Sequence, residues 1–452
     1  MHAILVNGRA LRRVFSWFKE DAFRRLFLNA GRLLSANGIA TLLGFLVAAL
    51  TARALGPEKY GVLALVLAYE ATIGKLVTFN AWQAIIKYGT EALHVGDTAG
   101  LRQLIKFGFC LDIGSAVVGT ILAMALAGPV VALIGWDQSV QPLVMLYSVL
   151  ILFSLSGTPV GVLRLFDRFD LLSYTVVLNV LVRLGGVIWC LLTGQGLYGF
   201  VLVYLLTGII GMLYQLFASL WVLRKQGVSG IPKQSLRGVR SRFPGIWDYV
   251  WTTNLNATIR MLSREMDGLV IAGLTTPTEL GFFRVAKQLS SILPMLSDPL
   301  SQAIFPELAR LWSKNEKGRF ISLIKRVTFF TGIASLLGWL GFVVLGRGII
   351  ILVFGPAFQG AYLVTVIYML ALVVFLWGFT GVPSMLAIGL ARQVFFTTLI
   401  ATIIYFVLLF PLITTFGIVG ASWAYVGFFI SFYIVAIYYL LPYLGSTIDS
   451  RK

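Results

Sequence analysis

Charged side chains inside long apolar segments are the residues best placed to do chemistry in this sequence. Arg260, Arg264 and Asp267 follow one another at spacings of four and three, and Arg284 and Lys287 are three apart, so each set lies on one face of a helix. A charge at the centre of a bilayer costs roughly 2.5 to 3.5 kcal/mol. We therefore expect these side chains to face protein or water, where arginine and lysine suit phosphate oxygens.

Two roles can be assigned to the charges in these segments. The predicted ligands of an anionic headgroup are Arg260, Arg264, Arg284, Lys287, Lys75 and Arg183. The predicted ion-coupling residues, carboxylates that bind and release a cation during a transport cycle, are Asp267, Glu265, Glu70 and Asp298. Ion pairing among these groups is the competing interpretation, although the four cations Arg260, Arg264, Arg284 and Lys287 exceed the two neighbouring anions, Glu265 and Asp267, by two charges. Asp112, near one end of its apolar segment, is expected at the membrane interface.

The composition places the chain in a membrane. Of 452 residues, 58% are apolar and 12% are charged, and apolar runs of about 20 residues, the length that spans a bilayer, recur along the chain. This excludes a soluble enzyme. Two cysteines inside apolar runs and two histidines outside them indicate neither a disulfide framework nor a metal site. No cofactor is predicted, and coupling to H⁺ or Na⁺ stays open.

About twelve transmembrane helices are predicted, which makes the fold all-α and polytopic. The segments lie near 33–54, 61–86, 105–134, 142–163, 171–193, 197–223, 249–274, 281–305, 320–354, 361–388, 394–415 and 418–441. Of the 36 Lys and Arg residues, 27 fall in loops on one side of these segments and three on the other. Both termini are therefore predicted to be cytoplasmic, and the net charge of +18 does not indicate a nucleic-acid partner.

The second half of the sequence repeats features of the first. The run from Gly56 to Gly61 (GPEKYG) recurs 220 positions later as Thr276 to Gly281 (TPTELG). Further matches at offsets of 221 and 224 pair Gly196, Gly199 and Tyr204 with Gly417, Gly420 and Tyr425, and Gly157 and Pro159 with Gly381 and Pro383. Because each half has six helices, the two lobes are expected to share one orientation, with an axis along the membrane normal and a central cavity between them.

The repeat and the loops predict the domain boundaries. They give an amphipathic cytoplasmic segment over 1–32, an N-lobe over 33–223, a basic cytoplasmic linker over 224–248, a C-lobe over 249–442 and a cytoplasmic tail over 443–452. Two lobes around a midplane site can rock and expose the site to each side of the membrane in turn. Such an organisation is typical of transporters and not of enzymes.

The run from Arg53 to Gly61 (RALGPEKYG) resembles the signature of polysaccharide-repeat flippases in the multidrug, oligosaccharidyl-lipid and polysaccharide exporter superfamily. The two six-helix lobes, the basic middle loop and the loop with Arg392 after Pro383 are similar to that family's layout over the whole chain. The resemblance implies that the protein moves an undecaprenyl-diphosphate-linked oligosaccharide from the inner to the outer leaflet of a bacterial plasma membrane. The O-antigen, exopolysaccharide or capsule made from it would involve a polymerase and glycosyltransferases as partners.

Other functions remain open at this point. A drug or metabolite antiporter of the same superfamily would need a net acidic cavity for cationic substrates, whereas the predicted cavity is net basic. A lipid II flippase also resembles this sequence and would use the same kind of cationic cleft. Such flippases are, however, typically longer chains with extra helices. From other classes, a glycan transferase would need an acidic catalytic cluster on a large outer loop, and a scaffold would give no reason for charges inside the membrane.

Overall fold

The computed structural model describes the backbone of residues 21–79 and 81–445. Side chains are described from residue 40 to 443, except at 80, 256–257, 259–266, 292–299 and 302–303. The predicted amphipathic segment over 1–32 and the tail over 443–452 fall largely outside these residues. In the described part of each half, the regular secondary structure consists of helices.

The first set of helices carries the predicted first lobe. In chain order they are α1 (Asp21–Val77), α2 (Trp82–His94), α3 (Thr98–Ile134), α4 (Gln141–Leu152), α5 (Gly157–Leu165), α6 (Phe169–Thr193) and α7 (Leu197–Lys225). A short helix α8 (Val239–Arg242) lies in the linker.

The remaining helices follow the linker. They are α9 (Ile246–Leu274), α10 (Pro277–Ser290), α11 (Ile292–Ser313), α12 (Lys317–Phe354), α13 (Ala361–Gly378), α14 (Gly381–Ile388), α15 (Ala391–Phe416) and α16 (Ile418–Gly445). The all-α polytopic class is thus confirmed.

Nine helical segments within the described residues are long and apolar enough to cross a membrane. One of them, Ala40–Val77, holds two predicted helices, because only Gly56 leaves helical geometry between them (φ 70°, ψ 173°). The predicted segments 249–274 and 281–305 are absent from the nine, and both carry the charges described above. The count of twelve stays a prediction.

Four predicted helices are interrupted in the structure. The segment 61–86 breaks between Val77 and Trp82, 142–163 between Leu152 and Gly157, and 361–388 between Gly378 and Gly381. The last two breaks precede Gly-x-Pro, where the proline fits the first turn of a new helix and cannot continue an old one. The segment 281–305 breaks at Ser291.

Contacts divide the chain into two compact units, one formed by Leu43–Arg284 and one by Met1–Leu42 with Val285–Lys452. The first unit holds α2 to α9, most of α1 and the first half of α10. The predicted lobe boundaries at 223 and 249 stay a prediction.

Within the first unit, the two copies of the hairpin sequence contact one another. A Cβ atom built on Gly61 would overlap the Pro277 carbonyl oxygen, and one built on Gly281 would overlap the Pro57 carbonyl oxygen. Each glycine therefore lies against the proline of the other copy. A reciprocal contact of this kind is what a twofold relation between copies produces, and only glycine permits it.

Substituting Gly61→Ala tests this contact. The obstructing atoms belong to the backbone and cannot rotate away, so we expect the free energy of unfolding to fall by about 1 to 3 kcal/mol, as for other overpacked sites. The control is Gly44→Ala on the same helix, because nothing lies within 4 Å of a Cβ built there. Equal thermal unfolding midpoints for the two purified variants would show that the close crossing is absent in solution.

The predicted linker is folded against α2 and α3. Gln103 Nε2 donates hydrogen bonds to the carbonyls of Ser235 (3.0 Å) and Arg237 (2.8 Å). Arg242 donates to Asp97 through Nε (2.9 Å) and Nη2 (2.5 Å), and Phe243 is buried in a cluster with residues of α2 and α3. The linker is thus a docked element of the first unit.

The Asp97 carboxylate gives this docking a pH dependence. The Gly100 backbone N–H and the Arg242 guanidinium donate hydrogen bonds that lower the pKa of Asp97. Because the pKa in the folded protein lies below that of the unfolded chain, this stabilisation is complete above the ordinary aspartate pKa of about 3.9 and is lost as the pH falls through the lowered value.

We therefore expect Asp97→Asn to weaken docking at neutral pH by about 1 kcal/mol or less, since both side chains are about a third exposed. Hydrogen exchange of the backbone over residues 231–243 should accelerate. The control is Asp170→Asn, which removes an ion pair with Arg168 at the start of α6. This change should leave the exchange over residues 231–243 unchanged. Unchanged exchange in both variants would contradict a docking role for Asp97.

Candidate functional site

The structure describes the side chains of six of the ten predicted charged residues. The side chains of Arg260, Arg264, Glu265 and Asp298 lie outside the described residues, although their backbones belong to α9 and α11. Asp267 is buried on α9 at 3% exposure, and one of its oxygens accepts the Gly268 N–H at 2.7 Å. Arg183, Arg284, Glu70 and Lys75 belong to the first unit, whereas Lys287 belongs to the second.

Arg183 lies on α6 with its guanidinium over the ring of Tyr204 on α7, 4.6 Å from the ring centroid. Its Nε is buried and has no hydrogen-bond partner among the side chains and backbone that the structure describes. One turn earlier on the same face, the buried Oδ1 of Asn179 also lacks a partner among them. Unpartnered polar atoms are rare in protein interiors and often belong to ligand sites. This face of α6 therefore offers both a donor and an acceptor.

Three buried tyrosines, Tyr60, Tyr147 and Tyr204, lie near the guanidinium groups of Arg183 and Arg284. Tyr147 on α4 lies within electrostatic range of Arg183, Arg284, Glu70 and Tyr204. The Tyr204 hydroxyl is 3.5 Å from the Thr51 hydroxyl on α1. Phenolic hydroxyls both donate and accept hydrogen bonds, so the cluster can bind an anion and also the hydroxyls of a sugar.

The close contact between the backbones at Gly61 and Gly281, here called the glycine crossing, positions Arg284, the remaining cation of the cluster. Tyr60 precedes Gly61, and Arg284 follows Gly281 by three residues. Where the two glycines cross, the Arg284 guanidinium lies within electrostatic range of the buried Tyr60 hydroxyl. The hairpin sequence that recurs in the two halves therefore does more than turn the chain. It brings an arginine of α10 to a tyrosine of α1.

Glu70 and Lys75 lie further along α1. Glu70 is partly buried and Lys75 is exposed, and the two groups interact electrostatically. Lys75 thus interacts with a carboxylate of its own helix, and the same carboxylate lies within electrostatic range of Tyr147. The structure brings Arg183, Arg284 and Glu70 to one cluster, with Lys75 at its margin.

The second half contains a neutral counterpart of this cluster. Tyr147 and Tyr204 are followed 221 positions later by Tyr368 and Tyr425, whose rings stack at 4.8 Å between centroids. The position equivalent to Arg183 is Ile404. The aromatic pair is therefore common to both halves, whereas the arginine is specific to the first.

Sequence reasoning did not assign four members of this site. Tyr60 and Tyr204 appeared only as landmarks of the repeat, and Asn179 and Tyr147 carried no signal except helical spacing and repetition. It expected Asp112 at the membrane interface, and that depth stays a prediction. Asp112 is fully buried (0% exposed), because Thr158 of α5 packs over its carboxylate.

A family described as polysaccharide biosynthesis protein matches residues 26–312. The chain belongs to this family. Among curated relatives, Inner membrane protein YghQ of Escherichia coli K12 is 28% identical over 76% of this chain and 97% of its own length. The probable low-salt glycan biosynthesis flippase Agl15 of Haloferax volcanii is 25% identical over 86% of this chain and 78% of its own.

A solved structure is similar in fold. It is an inward-facing multidrug resistance transporter of the MATE family, in the MOP superfamily, with a TM-score of 0.74, 14% identity, and coverage of 91% of this chain and 96% of the other. The family match confirms the predicted resemblance to polysaccharide biosynthesis proteins, and the likeness in fold, with nine helices long and apolar enough to cross a membrane in the described residues, confirms a polytopic membrane fold. Fold likeness at this identity does not distinguish substrates.

Substituting Arg183→Met separates stability from function at the site. The change removes a guanidinium whose buried Nε has no partner among the described residues, and it loses the contact with Tyr204, so the two effects oppose each other. We expect the free energy of unfolding to change by less than about 1 kcal/mol. The control is Arg224→Met at the exposed end of α7. A marked loss of thermal stability in Arg183→Met alone would identify a structural residue.

Proposed function

We propose that this protein flips an undecaprenyl-diphosphate-linked oligosaccharide repeat unit from the inner to the outer leaflet, to supply synthesis of a surface polysaccharide such as O-antigen, exopolysaccharide or capsule. Membership of the polysaccharide biosynthesis family and a relative named as a probable glycan biosynthesis flippase support it. The observation that carries the proposal is Arg183, a cation inside an apolar span with an unpartnered donor. A diphosphate group supplies the acceptors that this donor lacks.

The tyrosines and Asn179 extend this site from phosphate toward sugar. The carbohydrate of such a substrate presents hydroxyl groups, which pair with phenol and amide groups at little cost in charge. The polyprenyl chain is as apolar as the lipid and can stay in the bilayer while the headgroup crosses. Arg260, Arg264, Arg284, Lys287 and Lys75 remain proposed further ligands of the headgroup, and Asp267, Glu265, Glu70 and Asp298 remain proposed coupling residues.

The described charges favour this function over a cation antiporter. A cationic drug would meet Arg183 and Arg284 beside Tyr147, and like charges in a low-dielectric site repel strongly. Glu70 offers one carboxylate in the same cluster, and Lys75 interacts with it. An efflux assay with a cationic dye is the direct test of the rival function.

In cells that lack this protein, we expect undecaprenyl-diphosphate-linked repeat units to accumulate and surface glycan to fall. Wild type and Arg224→Met should restore both at matched expression, whereas Arg183→Met should restore flipping to less than about a tenth of the wild-type rate, as for loss of one charge-assisted contact. Arg183→Lys keeps the charge without the fork of donors and should be intermediate.

The same variants in proteoliposomes separate flipping from other cellular steps. Purified lipid-linked oligosaccharide is placed in the membrane, and a glycan hydrolase added outside reports the fraction in the outer leaflet. Flipping by Arg183→Met at the wild-type rate would remove the site from the mechanism. Normal surface glycan in cells without the protein would contradict the proposed function itself.

A further inference from the structure

Two helix breaks of the first unit meet at one residue. The gap between α1 and α2 and the gap between α4 and α5 both face α3 near Asp112. The Thr158 N–H at the start of α5 donates to Asp112 Oδ2 at 2.6 Å, and the Phe79 N–H donates to the Ser115 hydroxyl at 3.2 Å. Broken backbone in a membrane needs partners from the protein or a bound ion.

The other carboxylate oxygen of Asp112 faces a small space beside Gly157. The point where a Gly157 Cβ would lie is 2.6 Å from Asp112 Oδ1, 3.1 Å from Ala81 N and 3.3 Å from the Phe79 carbonyl oxygen. Among the described residues, Asp112 Oδ1 is buried without a hydrogen-bond partner. The buried Thr158 hydroxyl lies beside the same carboxylate, and the described residues offer this hydroxyl no other partner.

No cation of the described chain neutralises this carboxylate. The elements around it carry charged groups, among them Lys75 on α1, Lys87 on α2, Arg164 on α5 and Asp248 on α9. Within the described residues, the interactions of the Asp112 side chain are those with Thr158. Burial of an uncompensated carboxylate in an apolar environment is costly, and a bound positive charge removes that cost.

The second half shows that the break itself does not require a carboxylate. Its break before Gly381 corresponds to the break before Gly157. There, the Thr331 hydroxyl donates to the Leu376 carbonyl at 3.1 Å, and the hydroxyls of Thr328 and Thr380 are 2.9 Å apart. Neutral side chains suffice at that break, so capping α5 is not a sufficient reason for Asp112.

We propose that Asp112 Oδ1, with the Thr158 hydroxyl and the Phe79 carbonyl oxygen, binds a monovalent cation, Na⁺ or a proton. One carboxylate among neutral oxygens matches a single positive charge, and the described residues hold no group of three or more His, Cys, Asp or Glu side chains for a divalent metal. Because the site joins two helix breaks, its occupancy stabilises the arrangement of α1, α2, α4 and α5.

The test measures thermal unfolding of the purified full-length protein in nanodiscs, and it does not depend on the transported substrate. Wild type, Asp112→Asn and Asp137→Asn are titrated with NaCl against choline chloride, at acidic and at alkaline pH. Asparagine at 112 keeps an oxygen to accept the Thr158 N–H but loses the negative charge. Asp137 is the matched control, because its exposed carboxylate likewise accepts a backbone N–H, that of Ser139 at 2.7 Å.

A Na⁺ site predicts a saturable rise of the wild-type unfolding midpoint with Na⁺ and not with choline, absent in Asp112→Asn and kept in Asp137→Asn. A proton site predicts no Na⁺ effect, together with a pH dependence of the midpoint that Asp112→Asn reduces and Asp137→Asn does not. Gly157→Ala, which fills the space beside Oδ1, should reduce the Na⁺ effect while the carboxylate remains. Identical responses of wild type and Asp112→Asn to both Na⁺ and pH would overturn the proposal.

Discussion

Lipid offers no hydrogen bonds, and this constraint determines how each irregular feature of the chain is arranged. Where the helices break, the Thr158 N–H donates a hydrogen bond to the Asp112 carboxylate, and the Phe79 N–H donates one to the Ser115 hydroxyl. Where charges enter the spans, Arg183 lies over Tyr204 and Arg284 lies within electrostatic range of Tyr60. The polar groups of the first unit therefore form small internal sites, and those sites are the places where a substrate or an ion can bind.

The glycine crossing connects the repeat to the site. Gly61 and Gly281 allow two backbones to approach where any side chain would obstruct them. Since Tyr60 and Arg284 lie one and three residues away, the same contact sets their separation. A sequence feature that is read first as a turn thus has a second physical role. It determines whether a cation from the α10 helix reaches the aromatic cluster of α1, α4 and α7.

The sequence predicted the helical class and the charged candidates because both depend on local composition. Arg183 stands out in an apolar run, whereas Tyr147 does not, since tyrosine is ordinary in a transmembrane helix. The break before Gly157 has a Gly-x-Pro signal, but the break between Val77 and Trp82 contains neither glycine nor proline. The burial of Asp112 was not predicted for that reason: its surroundings depend on breaks in other helices, and distance from the end of its own apolar run does not reveal them.

The two halves share a scaffold but differ in charge. Tyr147 and Tyr204 have counterparts in Tyr368 and Tyr425, and both halves break before a Gly-x-Pro sequence, yet Arg183 is matched by isoleucine and Asp112 by Gly332. The family match over residues 26–312 includes Arg183, Arg284 and Asp112 and ends before helices α12 to α16. A repeat needs only apolar packing to hold its shape. Arg183 and Asp112 are therefore better explained by binding than by folding, because the equivalent tyrosine pair and helix break of the second half form without them.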